Sequence, residues 1–483
     1  MMSLKAVLLF CVASVIRVES LNYRIVNTTQ GPVKGYKLDT ENVFSFLSIP
    51  YATVPTGLDR FKAPLPPPTW TELFEANEKD IACPQSGHKL DTGDEYREQC
   101  LVASVFTPNT TAQNLPVLVY VHGGGFFIGY GNEFTPKHLV QSGKIIAVTF
   151  NYRLGPQGFL CLGTEAVPGN AGMKDQVALL RWVQKNIANF GGNPKDVTIA
   201  GYSAGGASVD LLMLSKMAQT LFSKVIPESG ANILDVGVQI NPIEYARLYA
   251  SNLKFENVDD MKALEQFYLT VPFDVLTSID VLNGVDNVNI LSPCIERDIG
   301  QEERFLEDSP VNIITSGHYN KYPILYGFSE MEGLFRIGNF EKIKNLMNNN
   351  FANFLPNDLH FINGKKKEEV GKIVKKFYFR EEPVGPINIL KYVDYFTDSM
   401  FAFNILRTVQ LQAKVGNDKV YLYEYAFVDS DVDIIPYTNM RGATHCAQTM
   451  AVLDSPNEDN ITEEYKTMKH YMREIWLNFI IYG

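Results

Sequence analysis

The 483-residue sequence lacks features that define several large classes of protein. Its longest basic run, Lys365-Lys366-Lys367, is followed at once by two glutamates, and 43 Lys and Arg residues are set against 54 Asp and Glu residues. A net charge of −11 without a basic patch argues against a nucleic-acid partner. Repeats and low-complexity stretches are also absent, which argues against a solenoid or a linker. With 46% hydrophobic residues, the chain is too apolar to be disordered.

Long hydrophobic runs are missing as well. The run over residues 6–16 is too short for the roughly 20 positions of a membrane-spanning helix. It follows Lys5 and precedes small residues at Val18 and Ser20, which is the pattern of a secretory signal. We therefore expect a signal peptide over residues 1–20 and a secreted, extracellular chain over 21–483 with no membrane span.

Cysteine is scarce, and its number is informative in a secreted chain. Of six cysteines, Cys11 would leave with the signal, so five would remain. Because five is odd, at least one thiol should be unpaired unless chains cross-link. Three N-x-[ST] sequons, at Asn27, Asn109 and Asn460, predict N-glycosylation.

Apolar runs and helical periodicity predict the fold class. Strands are predicted over residues 115–121, 144–150, 196–200, 223–226, 322–327 and 420–427. Helices are predicted over 171–190 and 204–217, an edge hairpin over 23–37, and an irregular but packed segment over 44–70. Unbroken Val/Ile/Leu strands separated by helices indicate an α/β fold, with a large, mostly parallel sheet covered by helices on both faces. In such sheets, active-site residues lie at the carboxyl ends of the strands.

A candidate nucleophile lies where a predicted strand meets a predicted helix. Ser203 is the central residue of Gly201-Tyr202-Ser203-Ala204-Gly205, a G-x-S-x-G pentapeptide. A sharp strand-to-helix turn at such a serine exposes its hydroxyl above the sheet. The position and the flanking glycines therefore predict a nucleophilic serine.

A serine hydroxyl needs a base, and the base needs a carboxylate partner. Of seven histidines, His445 is the best candidate, because it follows a late strand in a turn-prone segment. The acid should follow another sheet strand, and both Glu330 and Glu332 do so. The residues alone favour neither glutamate.

Acyl transfer also requires donors for a developing oxyanion. His122-Gly123-Gly124-Gly125-Phe126 follows a strand, and its glycines allow close approach of the backbone. We expect the amides of Gly124 and Gly125, together with that of Ala204, to form the oxyanion hole.

With these motifs the chain resembles the type-B carboxylesterase/cholinesterase family of α/β-hydrolases, from about residue 23 to residue 483. The matching stretches are FLSIPYATVPTGLDRF (46–61), HGGGF (122–126), NYRLGPQGFL (151–160), PGNAGMKDQVALLRWVQKNIANFGGNP (168–194) and VTIAGYSAGG (197–206). VIPESGAN (225–232) and HCAQTMAVLD (445–454) look most like insect, particularly moth-type, secreted carboxylesterases.

The resemblance assigns roles that the residues alone leave open. It implies that Glu332 is the acid and His445 the base, and that Cys83 and Cys100 form a disulfide. It also implies that Ser229 helps to hold the acid. Arg153 matches an arginine that usually pairs with acids near that disulfide.

The sequence also departs from the family pattern. Gln99 replaces the usual aspartate before Cys100, and residues 84–99 contain no tryptophan, which disfavours a cholinesterase. Tyr202 stands where cholinesterases carry Glu and juvenile hormone esterases carry Gln. Family members usually continue for several dozen residues beyond the segment matching 476–483. We therefore interpret the sequence as truncated at its C-terminus; the alternative is a short form that exposes its last apolar run, residues 479–483.

Together these features predict a secreted serine hydrolase that cleaves carboxylic esters through an acyl-enzyme, with neither a metal nor an organic cofactor. Phe126 and Phe127 suggest a small apolar ester as substrate, such as an odorant acetate, an allelochemical or a xenobiotic. Two alternatives remain: a non-catalytic adhesion or ligand-binding protein on the same scaffold, and a juvenile hormone esterase. The sequence gives no indication of the oligomeric state.

Overall fold

The structure is a computed structural model that describes residues 22–38, 42–78, 81–85, 96–279, 291–300, 303–454 and 461–483. The predicted signal peptide, the sequon at Asn460 and most of the segment 84–99 lie outside these residues. One eleven-stranded sheet organises the described chain. Its strands are β1 (Tyr23–Asn27), β2 (Pro32–Lys37), β3 (Val43–Pro50), β4 (Phe74–Glu75), β5 (Val102–Pro108), β6 (Leu115–Val121), β7 (Ile146–Phe150), β8 (Gly192–Tyr202), β9 (Lys224–Glu228), β10 (Ile324–Ser329) and β11 (Val420–Tyr425).

The sheet has an antiparallel part and a parallel part. Its strand order is β1-β2-β3-β5-β7-β6-β8-β9-β10-β11, and β4 pairs with β2 outside this path. Pairing is antiparallel from β1 to β7 and parallel from β7 to β11. The predicted mostly parallel sheet and the edge hairpin at 23–37 are thus confirmed.

Helices lie between and around these strands. The shorter connections carry α1 (Lys137–Gln141), α2 (Gly155–Phe159), α3 (Ala171–Asn186), α4 (Ala204–Leu214), α5 (Pro242–Asn252), α6 (Met261–Thr270), α7 (Phe273–Leu276) and α8 (Pro310–Ser316). After β10 come α9 (Phe340–Asn349), α10 (Gly364–Phe379), α11 (Ile389–Thr397), α12 (Phe403–Lys414), α13 (Ala447–Val452) and α14 (Glu463–Tyr482). A π-helical turn, Asp398–Ala402, joins α11 to α12.

Central strands are buried on both faces, as the unbroken apolar runs predict. Val119 of β6 pairs with Val148 of β7 on one side and Ile199 of β8 on the other, and all three are buried. Two clusters of buried side chains cover the two faces. Burial of this kind contributes about 25 cal/mol for each Å² of apolar surface removed from water, so it fixes the strands whose ends carry the site.

Two expectations about particular segments are wrong. Residues 44–70 were expected to be irregular, but β3 occupies their first part and is almost entirely buried, because its alternate faces both meet apolar neighbours. In the alternative of a short form, the last apolar run was expected to be exposed. Phe479 and Ile480 of α14 instead pack onto the sheet with Trp476, and Tyr482 alone among the three aromatic residues of this stretch is largely exposed.

Two disulfides join distant parts of the described chain. Cys83 and Cys100 are bonded, as the resemblance implies, and Cys161 is bonded to Cys294, which the sequence left open. The second bridge closes a loop of 133 residues between the segments after α2 and before α8.

Arg153 forms an ion pair with an acid of α3, and residues 86–95 of the first disulfide loop lie outside the described residues, so its pairing with acids near that disulfide stays a prediction. Its guanidinium donates to both carboxylate oxygens of Asp175 in α3, at 2.8 and 2.7 Å, and both residues are buried. Gln99 instead binds the backbone of Val54 through both ends of its amide. The buried pair therefore ties the segment after β7 to α3.

No helix among the described residues combines the length and the apolarity that crossing a membrane requires.

Candidate active site

Ser203 occupies a strained turn between β8 and α4. Its backbone has φ 53° and ψ −122°, a conformation that side chains other than glycine rarely adopt. The turn is tight because small residues flank it: a Cβ at Gly205 would lie 2.2 Å from the carbonyl oxygen of Val121. The amide of Ser203 donates to the carbonyl of Glu228 at the end of β9, at 2.8 Å. These contacts hold the serine at the carboxyl edge of the parallel strands.

His445 lies between Ser203 and Glu332. Its Nε2 is 2.9 Å from the Ser203 hydroxyl oxygen, and its Nδ1 is 2.5 Å from Oε2 of Glu332. This geometry suits a tautomer in which Nδ1–H donates to the carboxylate and Nε2 accepts the serine proton. The structure therefore brings together, within hydrogen-bond distance, three residues that lie up to 242 positions apart.

The two glutamates that follow β10 differ in environment. Glu332 is fully buried, and its Oε1 accepts hydrogen bonds from the Ser229 hydroxyl at 2.5 Å and from the Ser329 amide at 2.8 Å. Glu330 is exposed and faces away from His445 toward α10 and α11. Geometry therefore puts Glu332, and not Glu330, beside the base.

Ser229 belongs to a set of polar side chains behind the acid. Gln448 of α13 donates from Nε2 to the Ser229 hydroxyl and accepts at Oε1 from the Ser329 hydroxyl, both at 2.6 Å. All three are buried, so each polar atom depends on these contacts rather than on water. Sequence reasoning missed Gln448 and Ser329, because no motif links a glutamine three residues after a histidine to this role.

The predicted oxyanion donors lie next to Ser203. Gly124, Gly125 and Ala204 border the same cavity as the Ser203 and His445 side chains. Gly124 has φ +98°, and a Cβ there would lie 2.1 Å from the carbonyl oxygen of Ile128. Only glycine fits this part of the loop, which leaves the backbone open toward the serine.

His122, at the start of the glycine loop, has a structural role. It is buried, its Nδ1 donates to the Gly123 carbonyl at 2.9 Å, and its ring stacks on Tyr152 at 4.4 Å. Burial lowers the pKa of His122 to about 4, so its imidazole is neutral at ordinary pH. An imidazole with so low a pKa accepts a proton weakly, which argues against His122 as the general base.

An apolar cavity of about 240 Å³ opens in front of the serine. Phe335 and Phe401 form one wall and both contact the imidazole of His445, with ring-centre distances of 5.5 and 4.4 Å. Phe401 belongs to the π-helical turn, a distortion that is frequent at functional sites. The remaining side chains around the cavity are those of Phe126, Ala204, Ala207, Leu234, Val236 and Met400.

Phe127 and Tyr202 lie outside this cavity. Phe127 was expected to line the pocket, but its ring is buried in the core beside Gly155, because the glycine loop turns it inward. Tyr202 stacks on Tyr120 at 6.3 Å, on the side of the sheet that α14 covers. The pocket aromatics that sequence reasoning missed, Phe335 and Phe401, follow no spacing that marks them in the sequence.

Cys446 follows the candidate base directly and is a buried free thiol. Burial raises its pKa well above the ordinary value, and the charges of Glu332 and Glu228 act in the same direction. A thiol held neutral in this way is a poor nucleophile. The sulfur fills space between the serine turn and Ser229.

A serine on a strained turn after a parallel strand, with glycine-loop amides and a histidine–carboxylate pair, defines the α/β-hydrolase class. The sequence profile of the Carboxylesterase family matches residues 22–483. Juvenile hormone esterase from Heliothis virescens is 30% identical over 488 residues, covering 94% of this chain and 85% of that protein. Carboxylic ester hydrolase from Bombus ignitus is 31% identical, covering 95% of this chain and 85% of that protein.

A solved structure is similar as well. The crystal structure of juvenile hormone esterase from Manduca sexta, with OTFP covalently attached, matches with a TM-score of 0.84 at 29% identity. The match covers 95% of this chain and 90% of that chain. The chain therefore belongs to the Carboxylesterase family, and it is a carboxylic ester hydrolase with the α/β-hydrolase fold. This confirms the family resemblance and the fold class predicted from the motifs.

Proposed function

We propose that this esterase cleaves neutral, apolar carboxylic esters through an acyl-enzyme on Ser203. The observation that carries the proposal is the chain of hydrogen bonds from Ser203 through His445 to Glu332, which opens onto the apolar cavity. In the first half-reaction the Ser203 oxygen attacks the ester carbonyl carbon, and its proton passes to Nε2 of His445. Glu332 stays ionised and stabilises the imidazolium that forms.

The negative charge of the tetrahedral intermediate develops on the former carbonyl oxygen. We assign the amides of Gly124, Gly125 and Ala204 as its donors, since these residues border the cavity beside the serine. When the intermediate collapses, the bond to the alkoxy oxygen breaks and His445 returns its proton to the leaving alcohol. Water then attacks the acyl carbon, with His445 as the base again, and releases the acid and free serine.

The character of the cavity supports a neutral, apolar substrate. Among the described residues that border it, none carries a formal charge apart from a protonated His445. Its aromatic and aliphatic side chains would stabilise an acyl or alcohol group by removing apolar surface from water. Odorant acetates, allelochemical esters and xenobiotic esters are the substrate classes that we propose.

A juvenile hormone ester is a second candidate substrate. The similar proteins from Heliothis virescens and Manduca sexta described above are both named juvenile hormone esterases. Against it stands Tyr202, which replaces the glutamine expected before the nucleophile in that group. A purely non-catalytic scaffold is disfavoured, because Ser203, His445 and Glu332 are joined by two hydrogen bonds.

We further propose that the protein is secreted and glycosylated. Two disulfides suit an oxidising compartment, and Asn27 and Asn109 of the sequons are exposed. N-terminal sequencing of protein recovered from the culture medium checks cleavage near residue 20. Retention of the whole chain inside the producing cell would contradict secretion.

The nucleophile is tested by comparing the parent with Ser203→Ala on p-nitrophenyl esters of increasing acyl length. We expect turnover by the parent, a fall of about 10⁵-fold or more in the variant, and unchanged turnover in Ser430→Ala, a control at an exposed serine. A serine-directed fluorophosphonate should add its mass to the parent and not to Ser203→Ala. A folded parent that is silent with every ester and unlabelled by the fluorophosphonate would defeat the proposal and favour a binding scaffold.

A further inference from the structure

A second buried carboxyl group lies behind the active site, at the end of β9. Glu228 is fully buried and is the residue directly before Ser229. It pairs in register with Gly327 of β10, and Gly327 pairs with Tyr423 of β11. The three residues thus form one row across three neighbouring strands.

The glycine in the middle of this row lets its neighbours meet. A Cβ at Gly327 would lie 2.5 Å from Cζ and 2.6 Å from Oη of Tyr423, so the tyrosine ring occupies the space of the missing side chain. Its hydroxyl lies 2.7 and 2.8 Å from the two carboxyl oxygens of Glu228. The register of the three strands and the missing side chain of Gly327 therefore place the Tyr423 phenol against the buried Glu228 carboxyl.

Glu228 is connected to the catalytic acid through two side chains. Gln448 lies close to the Glu228 carboxyl and donates to the Ser229 hydroxyl at 2.6 Å. Ser229 in turn donates to Glu332 at 2.5 Å. The amide that donates to the Ser229 hydroxyl therefore lies within reach of the Glu228 carboxyl.

Within the described part of the chain, the groups around Glu228 do not neutralise a negative charge. The titratable groups that face it are Tyr423 of β11, Tyr120 of β6, Glu332 and Cys446. Burial raises the pKa of Glu228 to about 8, and the charge of Glu332 adds to this effect.

The cations of neighbouring elements have partners elsewhere. Lys224, at the other end of β9, binds Asp196 and the Ile480 carbonyl. On α14, Lys469 donates to carbonyls at the end of α13, and Arg473 donates to carbonyls there and to Asp454.

On the opposite side lies another buried acid, Asp210 of α4. Its carboxyl group accepts hydrogen bonds from the Tyr326 hydroxyl and the backbone amide of Asn232.

We propose that Glu228 is a positioning residue for the catalytic acid and that it works in its protonated form. A neutral carboxyl leaves the amide of Gln448 available to Ser229, and Glu332 remains the single negative charge behind the base. An ionised Glu228 would draw that amide toward itself and place a second buried charge beside Glu332. This inference rests on the proposed ester hydrolysis at Ser203.

The proposal fixes the sign of a pH effect. Below the pKa of Glu228 the group is neutral and the acid is held, whereas above it the ionised form accumulates and the hold on Ser229 weakens. Ester hydrolysis by the parent should therefore decline as pH rises through about 8. Any decline at acid pH is a separate event.

The central experiment is the pH profile of kcat/KM for a neutral p-nitrophenyl ester, from about pH 6 to about pH 10, for the parent and Glu228→Gln. Hydrolysis measured with Ser203→Ala is subtracted at each pH. Glutamine keeps a neutral hydrogen-bonding group at every pH, so we expect the alkaline decline of the parent to disappear in this variant. The decline at acid pH should stay in place.

A second variant tests the same group without replacing it. The Tyr423 hydroxyl favours the ionised form of Glu228, so Tyr423→Phe should move the alkaline decline to higher pH by about 0.5–1 unit. Tyr421→Phe is the matched control, since Tyr421 lies on the same strand, is 48% exposed and has no part in the row. Its profile should superimpose on that of the parent.

Three results would overturn the inference. The first is a parent with no alkaline decline, and the second is a folded Glu228→Gln protein that keeps the decline. The third is a folded Glu228→Gln protein that loses more than about tenfold in kcat/KM at pH 7, because that loss would show that the ionised form of Glu228 is the working one. Failure of the proposed function looks different, because the parent and Ser203→Ala would then hydrolyse the ester equally.

Discussion

The two halves of the active site are held in place by different means. The half that follows β6 and β8 is shaped by the backbone, because the glycine loop and the serine turn pass too close to neighbouring carbonyls for any Cβ at Gly124 or Gly205. The half that follows β10 and precedes α13 is shaped by side chains. There, Glu332 and His445 are fixed by hydrogen bonds that extend back to Gln448.

This difference separates two ways of losing function. In the backbone half, an added methyl group collides with main-chain atoms that have nowhere to move, so small additions should be damaging. In the side-chain half, the shape survives substitution but each removed polar group leaves a buried partner unsatisfied. Substitutions in the first half therefore test steric fit, and substitutions in the second half test hydrogen bonding and charge.

The largest effect that distinguishes the halves should come from the charge of the acid. Glu332→Gln keeps the shape but removes the charge that stabilises the imidazolium and favours the productive tautomer of His445. We expect kcat to fall by about 10⁴-fold. Steady-state kinetics check this, with Glu330→Gln as the control two residues away on an exposed side chain. Equal losses in the two variants would mean that Glu332 is not the catalytic acid.

The next effect should come from the glycine loop. In Gly124→Ala the new methyl group would lie 2.1 Å from the Ile128 carbonyl oxygen, at a φ of +98°, so the loop must shift and its amides must leave the oxyanion. We expect a fall of about 10²- to 10³-fold in kcat. Gly364→Ala, where a Cβ meets nothing within 4 Å, is the control and should keep parental kinetics. A Gly124→Ala enzyme with parental kcat would remove this residue from the oxyanion hole.

The same contrast explains what could be predicted from the sequence. A backbone held close to other backbone requires glycine at fixed positions, so Gly124, Gly125 and the serine turn left a pattern that indicated both their location and their chemistry. The parallel strands could be predicted for a similar reason, since burial on both faces demands unbroken apolar runs such as residues 115–121. These features depend on local sequence.

The side-chain half leaves no comparable pattern. Glu330 and Glu332 both follow the right strand, so that the family resemblance was needed to select Glu332. The physical difference between them, burial against His445, is a property of the folded chain. Gln448 and Ser329 meet across 119 positions, and the ion pair of Arg153 with Asp175 of α3 has no marking in the sequence either. Contacts of this kind arise from the packing of elements that are distant in the sequence, so no spacing along the chain predicts them.

The smallest effect on catalysis, and the clearest on stability, should come from the far end of the side-chain half. Gln448→Leu keeps the volume of a fully buried side chain but leaves the Ser329 hydroxyl without its acceptor and the Ser229 hydroxyl without its donor. We expect the free energy of unfolding to fall by about 1–3 kcal/mol, while kcat falls less than in either variant above because Ser229 still reaches Glu332. Urea unfolding measures the first quantity. Gln266→Leu, at an exposed position on α6, should stay within about 0.5 kcal/mol of the parent. If both variants unfold like the parent, the buried hydrogen bonds behind the acid do not hold this half of the site, and the contrast between backbone and side-chain control fails.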